Sequence, residues 1–191
     1  MLKKRKLKAI AFGATLAGLV LVSGCQEEVQ PKASATDETK VVSSKLDAIE
    51  SVLQLQFTGP DPKMLDLMWV EEKQVLVDGK LTNPEFNEYF TEQYGEYFTT
   101  EALDTFVRTF GTTYHNLADS EGYTMSLGEM VLEQNDNENN RYVFTATVNF
   151  EKEDGTAMVK DIEGIALFST AEKKIGKFEY TSDDGLTIPL Q

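Results

Sequence analysis

The hydrophobic period of this chain changes once, after Gly122, and does not change back. Before that glycine, apolar residues recur every three to four positions, the spacing of one helix face. After it they alternate, the spacing of a half-buried strand. The first half is therefore predicted to be helical and the second half a set of strands. Val42, Leu46, Ile49, Leu53 and Phe57 form one stripe, which predicts a helix over 39–57. Gly59-Pro60-Asp61-Pro62 interrupts it. Asp61 can cap a second helix with Pro62 at its first position, predicted over 62–70 and carrying Met64, Leu65, Leu67, Met68 and Trp69. Val75 and Val77 suggest a short strand within 74–80, ending at Asp78-Gly79. Asn83-Pro84 repeats the cap-plus-proline start, for a helix to about residue 94 with Gly95 as its stop. Thr100 is predicted to cap a helix over 101–110, with Leu103, Phe106, Val107 and Phe110 on one face and Gly111 ending it.

The alternating half reads as strands over 123–134, with a bend at Gly128, then 142–150, 156–170 and 175–181. The links between them are short: an Asn-rich run at 135–140, Glu153-Asp154-Gly155, and 171–174. Consecutive strands with short turns make an antiparallel meander. One face of such a sheet needs cover, and the preceding helices supply it. The predicted fold is α+β, with N-terminal helices packed on a curved antiparallel sheet of about four to five strands, cone-shaped, in a single domain over 39–191.

The first 24 residues have a different character. Lys3, Lys4, Arg5, Lys6 and Lys8 form a basic start, and Ala9 to Val22 are uncharged and largely apolar. That run is short of the roughly 20 residues a membrane-crossing helix needs, and suits a signal peptide. Ser23, Gly24 and the only cysteine, Cys25, follow. The string Leu21-Val22-Ser23-Gly24-Cys25 resembles the lipobox of bacterial lipoproteins: an aliphatic residue, two small ones and an obligatory Cys. The resemblance implies that Cys25 receives a diacylglyceryl group on its thiol, and that the chain is cut between Gly24 and Cys25. Two acyl chains hold a protein stably at a bilayer where one does not. Residues 25–38 are polar, contain Pro31, and read as a flexible tether. The expected location is the outer face of a bacterial cell membrane, with the membrane itself as the first partner.

Charge and motifs narrow the function. Residues 25–191 carry 13 basic and 32 acidic side chains, a formal charge of −19. Such a surface repels phosphate backbones, excludes nucleic acid as a partner, and favours cations or basic partners. One Cys and one His cannot build a zinc site of the usual kind. Reading Asp136 as position 1 of a calcium loop puts Arg141 where glycine is needed and Thr147 where a glutamate is needed, so a hairpin turn explains the run instead. No Gly-x-Ser-x-Gly, Ser-x-x-Lys, His-Glu-x-x-His or phosphate loop occurs. No cofactor is implied and no catalytic set assembles. His115, in Thr112-Thr113-Tyr114-His115, is read as a loop residue.

The order of elements, together with Tyr97-Phe98-Thr99-Thr100-Glu101-Ala102-Leu103, resembles the nuclear-transport-factor-two-like superfamily, which includes SnoaL-like and ketosteroid-isomerase-like domains. A cystatin-like or other small α+β sheet is the alternative. The resemblance implies a pocket between sheet and helices, and an outer sheet face able to form a homodimer. Trp69, Phe86, Tyr89, Phe106 and His115 are the candidate pocket lining. The expected function is a non-catalytic domain that binds another envelope protein or a small hydrophobic ligand. A small pocket enzyme of the isomerase, dehydratase or hydrolase kind is the second reading.

Overall fold

The computed structural model describes residues 35–70, 73–77 and 80–187. The chain divides into a unit Met1–Ala33 and a unit Ser34–Gln191. The signal segment, Cys25 and most of the expected tether lie outside the described residues. Helix α1 spans Ala35–Gln56, starting within the segment expected to be tether. The later part of its stripe is buried as its period predicts: Ile49, Leu53 and Phe57, joined by Val52, are inaccessible to solvent, while Val42 and Leu46 are half-buried.

The two cap-plus-proline signals are both used. The Asp61 carboxylate accepts from Lys63 N and Met64 N and starts α2, Pro62–Trp69. Asn83 accepts from Phe86 N and starts α3, Pro84–Tyr94. Between them the expected single strand is a hairpin, β1 (Val75–Val77) pairing antiparallel with β2 (Lys80–Thr82). Helix α4, Thr100–Phe106, is capped by Thr99 rather than Thr100. Thr99 has extended backbone and its hydroxyl accepts from Ala102 N at 3.3 Å, whereas Thr100 is already helical. The helix continues as a π-helical turn, Val107–Gly111.

The main correction lies at residues 112–122. They form a helix, α5, Thr113–Glu121, and Gly122 ends it in the left-handed region with φ 71°. His115 is therefore a helical residue, not a loop one.

The strands form one sheet in the order β3-β4-β5-β6, all antiparallel. They span Thr124–Asn135, Glu138–Glu151, Ala157–Phe168 and Ile175–Ser182. The strand β3 slips register between Leu127 and Met130, around Gly128, as its sequence predicts. On β4 the buried set is Tyr142, Phe144, Ala146, Val148 and Phe150, every second residue. The helices lie on this inner face. Thr99 N–H donates to Ile175 O at 3.0 Å, and Ile175 N–H donates to Tyr97 O at 2.8 Å, tying the entry of α4 to β6.

The interior is aromatic. Phe57 packs on Tyr114 with ring centroids 4.8 Å apart, Phe98 on Phe106 at 4.8 Å, Phe110 on Tyr180 at 4.9 Å, and Phe144 on Phe178 at 5.0 Å. Each buried ring contributes about 1.5–3 kcal/mol by transfer from water, with roughly 0.5–1.5 kcal/mol more per favourable ring pair. No helix among the described residues is long and apolar enough to cross a membrane.

Candidate functional site

Of the five residues expected to line a pocket, two come together. Tyr89 on α3 and His115 on α5 meet Asp61 at the turn between α1 and α2. Leu55, Met64, Phe90, Gln93 and Tyr94 complete the surround. The other three lie elsewhere. Trp69, the last residue of α2, is 71% exposed and is not part of this group. Phe86 is half-buried against Phe90, at a ring separation of 4.8 Å. Phe106 is buried in the core, with Phe178 at 5.6 Å, and lines a separate depression between α4 and β6.

The chemistry of the meeting point follows from its hydrogen bonds. His115 is 2% exposed. Its Nδ1 lies 3.1 Å from Asp61 N, whose hydrogen it accepts. Nε2 lies 3.1 Å from the Leu55 carbonyl oxygen, to which it can only donate. These two partners specify the neutral ring with its hydrogen on Nε2. Burial pushes the imidazole pKa down, and this outweighs the Leu55 carbonyl and the Asp61 charge, which pull it up. The ring thus clamps the last turn of α1 to the start of α2.

Gly59 shapes the same turn, at φ +147°. A side chain there would place Cβ 2.8 Å from Asp61 N and 3.0 Å from His115 Nδ1. Glycine is needed both for that backbone and for the close approach of the ring.

Asp61 is also fully engaged. Besides capping α2, its carboxylate accepts the Tyr89 hydroxyl. Burial first, then this hydrogen bond and the Asp61 charge, push the Tyr89 phenol far up, so it stays a neutral donor. The space enclosed by the group is about 10 Å³. That is roughly the volume needed for a single water and far below that of a small-molecule site. A general base needs a free lone pair facing a substrate, and here the His115 lone pair faces a backbone N–H.

Two buried polar residues were not singled out from sequence. Gln56 donates to Tyr94 Oη at 2.9 Å and to Gly111 O at 3.2 Å, joining α1, α3 and the π-helical turn. It lies seven residues after Ile49, on the apolar face of α1, and that position was a readable signal. Asp183, in the unassigned tail, is fully buried. It accepts from Thr187 N at 2.7 Å, from the Thr187 hydroxyl, and from Tyr114 Oη at 3.4 Å. Its partners come from the tail and from a distant helix, so no local pattern announces it.

The larger depressions are open to solvent. One of about 630 Å³ lies beside α1 and the end of α3, lined by residues that include Asp47, Glu50, Glu92 and Glu96. Another, of about 400 Å³, lies between α4 and β6. No metal-holding group of His, Cys, Asp and Glu exists among the described residues. In the Asn-rich hairpin the Asn135 side chain accepts from Asn137 N at 2.9 Å, the geometry of a turn. Comparison with family models, curated proteins and solved structures finds no match.

Proposed function

We propose that this chain is a lipid-anchored extracytoplasmic lipoprotein, and that its folded domain binds a protein or ligand without transforming it. The anchoring half rests on Leu21-Val22-Ser23-Gly24-Cys25 behind a basic, then apolar, start. From Cys25 to the start of α1 at Ala35 is ten residues, so the domain would stay within about 35 Å of the bilayer surface.

The binding half rests on one observation. Asp61, Tyr89 and His115, the set of side chains most suited to proton transfer, spend their hydrogen bonds on one another and on the backbone around a space of about 10 Å³. That arrangement stabilises a turn and leaves no room for a substrate. What remains for function is the outside of the domain.

Labelling cells with an alkynyl fatty acid tests the anchor. The wild-type chain is expected to label and to partition into detergent, and Cys25→Ser to do neither. Labelling of Cys25→Ser would sink the assignment. An anilinonaphthalene sulfonate titration tests the interior. No saturable interior site is expected, and stoichiometric binding with enhanced fluorescence would overturn the packed interior on which the binding-surface reading rests.

A further inference from the structure

Helices cover the inner sheet face, and among the described residues no helix packs on the outer face. Val131 on β3, Val143 on β4 and Val159 on β5 are 56%, 42% and 59% exposed. The register shows which of the outward residues touch. Val143 lies directly opposite Ile165 on β5, Val131 is opposite Thr145, and Leu167 is two residues beyond Ile165. Val131, Val143, Ile165 and Leu167 therefore form a continuous apolar strip running diagonally across three strands. Val159 stands apart, opposite Asn149.

Carboxylates flank this strip. Glu133 is opposite Val143, Glu163 is opposite Thr145, and Asp161 is opposite Thr147. All three are exposed and none is in an ion pair among the described residues. Two cations border its Leu167 end, Arg141 and Lys177, both opposite Leu167 and each matched by a carboxylate, Glu138 at 3.7 Å and Glu179 at 2.7 Å, so the border as a whole keeps its negative excess. The strip is apolar with an unbalanced negative border.

We infer that this outer face is the docking surface of the domain, and that its occupant is an amphipathic helix of another protein carrying Lys or Arg beside its apolar stripe. The inference rests on the binding-module reading above. An antiparallel sheet can leave one face to water, so it is the apolar strip on that face, of a width that one helix face can cover, that points to a partner. Two strand spacings of about 4.8 Å and an offset of four residues along the strands give a strip of ~17 Å, the length of roughly eleven helical residues. Charge selects the partner. A second copy of this chain, packed face to face, would bring together two borders that each carry the same net negative charge. Anionic headgroups would be repelled likewise. A basic border on the partner pairs with them instead.

The test uses the lipidated protein in phosphatidylcholine nanodiscs, with empty discs as background, and a fluorescent 14-residue Leu/Lys amphipathic helix read by anisotropy. Saturable binding is expected, at least ~10-fold tighter than for the matching Leu/Glu helix. It should weaken several-fold once salt shortens the Debye length to about 3 Å. Val143→Asp is expected to lose at least ~10-fold, and Val143→Thr, which keeps the branched shape, no more than ~3-fold. The double charge reversal Glu133→Lys with Glu163→Lys lies on exposed positions and should turn the preference towards the Leu/Glu helix.

Equal binding of both helices, or no effect of Val143→Asp, overturns the inference. So does a wild-type dimer that Val143→Asp converts to a monomer, which would make the face a self-interface. Each of those results leaves the anchoring and the packed interior standing. Conversely, fatty-acid labelling of Cys25→Ser or a stoichiometric dye site would overturn the underlying function and leave the helix titration intact.

Discussion

His115 is the chain's only histidine and is built into the fold as a neutral ring. Replacing it with alanine removes the ring and leaves two part-buried backbone groups without their partner, the Asp61 N–H and the Leu55 carbonyl. Each orphaned group costs about 1–3 kcal/mol, and the lost ring packing adds to this. The expected total is about 3–5 kcal/mol, a large share of the roughly 5–15 kcal/mol that holds a domain together. Protonation attacks the same clamp. An imidazolium would point an Nδ1 hydrogen at the Asp61 N–H. Because burial lowers the folded-state pKa below the unfolded value of about 6.5, the clamp's contribution is complete above about pH 6.5. It is lost as pH falls through the folded value. The slope of this loss cannot exceed about 1.4 kcal/mol per pH unit, the limit for one proton. The Asp61 charge works against the loss but is the smaller influence. Urea titrations at pH 7.5, 6.5 and 5.5 measure it, on the wild type and on His115→Gln. The wild type should weaken below pH 6.5, and His115→Gln should be weaker throughout but flat over that window. Parallel slopes in the two proteins, or a wild type more stable at pH 5.5 than at 7.5, would refute the clamp.

Three further outcomes follow from packing. A Cβ at Gly164 would sit 2.3 Å from Phe144 Cζ and 2.4 Å from the Glu179 carbonyl oxygen, so Gly164→Ala is expected to cost about 3 kcal/mol or more by thermal melting. Phe106→Ala should cost about 3–5 kcal/mol and Trp69→Ala under about 0.5 kcal/mol, although both are large aromatics on helices; comparable losses would contradict the observed burial. The Tyr180 hydroxyl is buried with no hydrogen-bond partner among the described residues, so Tyr180→Phe should leave the melting temperature unchanged or raise it, and a loss above about 1 kcal/mol would mean that the hydroxyl is partnered.

Local patterns carried most of the secondary structure. Asp61-Pro62 and Asn83-Pro84 each start a helix because a side-chain oxygen and a pre-set proline act within three residues of one another. Alternation over 142–150 placed the buried face of β4 because a strand's sides differ by one residue. The helix α5 escaped the same reasoning. Its buried residues are Tyr114, His115 and Ala118, one of them polar and one small, so its period is faint. Trp69 shows the opposite failure. It lies one turn after Leu65 on α2, yet Leu65 is buried and Trp69 is exposed. Period tells which way a residue faces, not whether another element is there to cover it.

Sequence alone therefore determined the helices-then-strands order, though not α5 or the β1–β2 hairpin, together with the α+β class and the lone cysteine in a lipobox-like string, since each depends on neighbours a few residues apart. Tertiary structure decided what the candidate site is. His115 meets residues 54 and 60 positions away in the chain, Asp61 and Leu55, and only that meeting turns a residue suited to proton transfer into a hydrogen-bonded brace. It also decided which valines remain outside, because exposure depends on which elements pack over a face, and none of those described packs over this one.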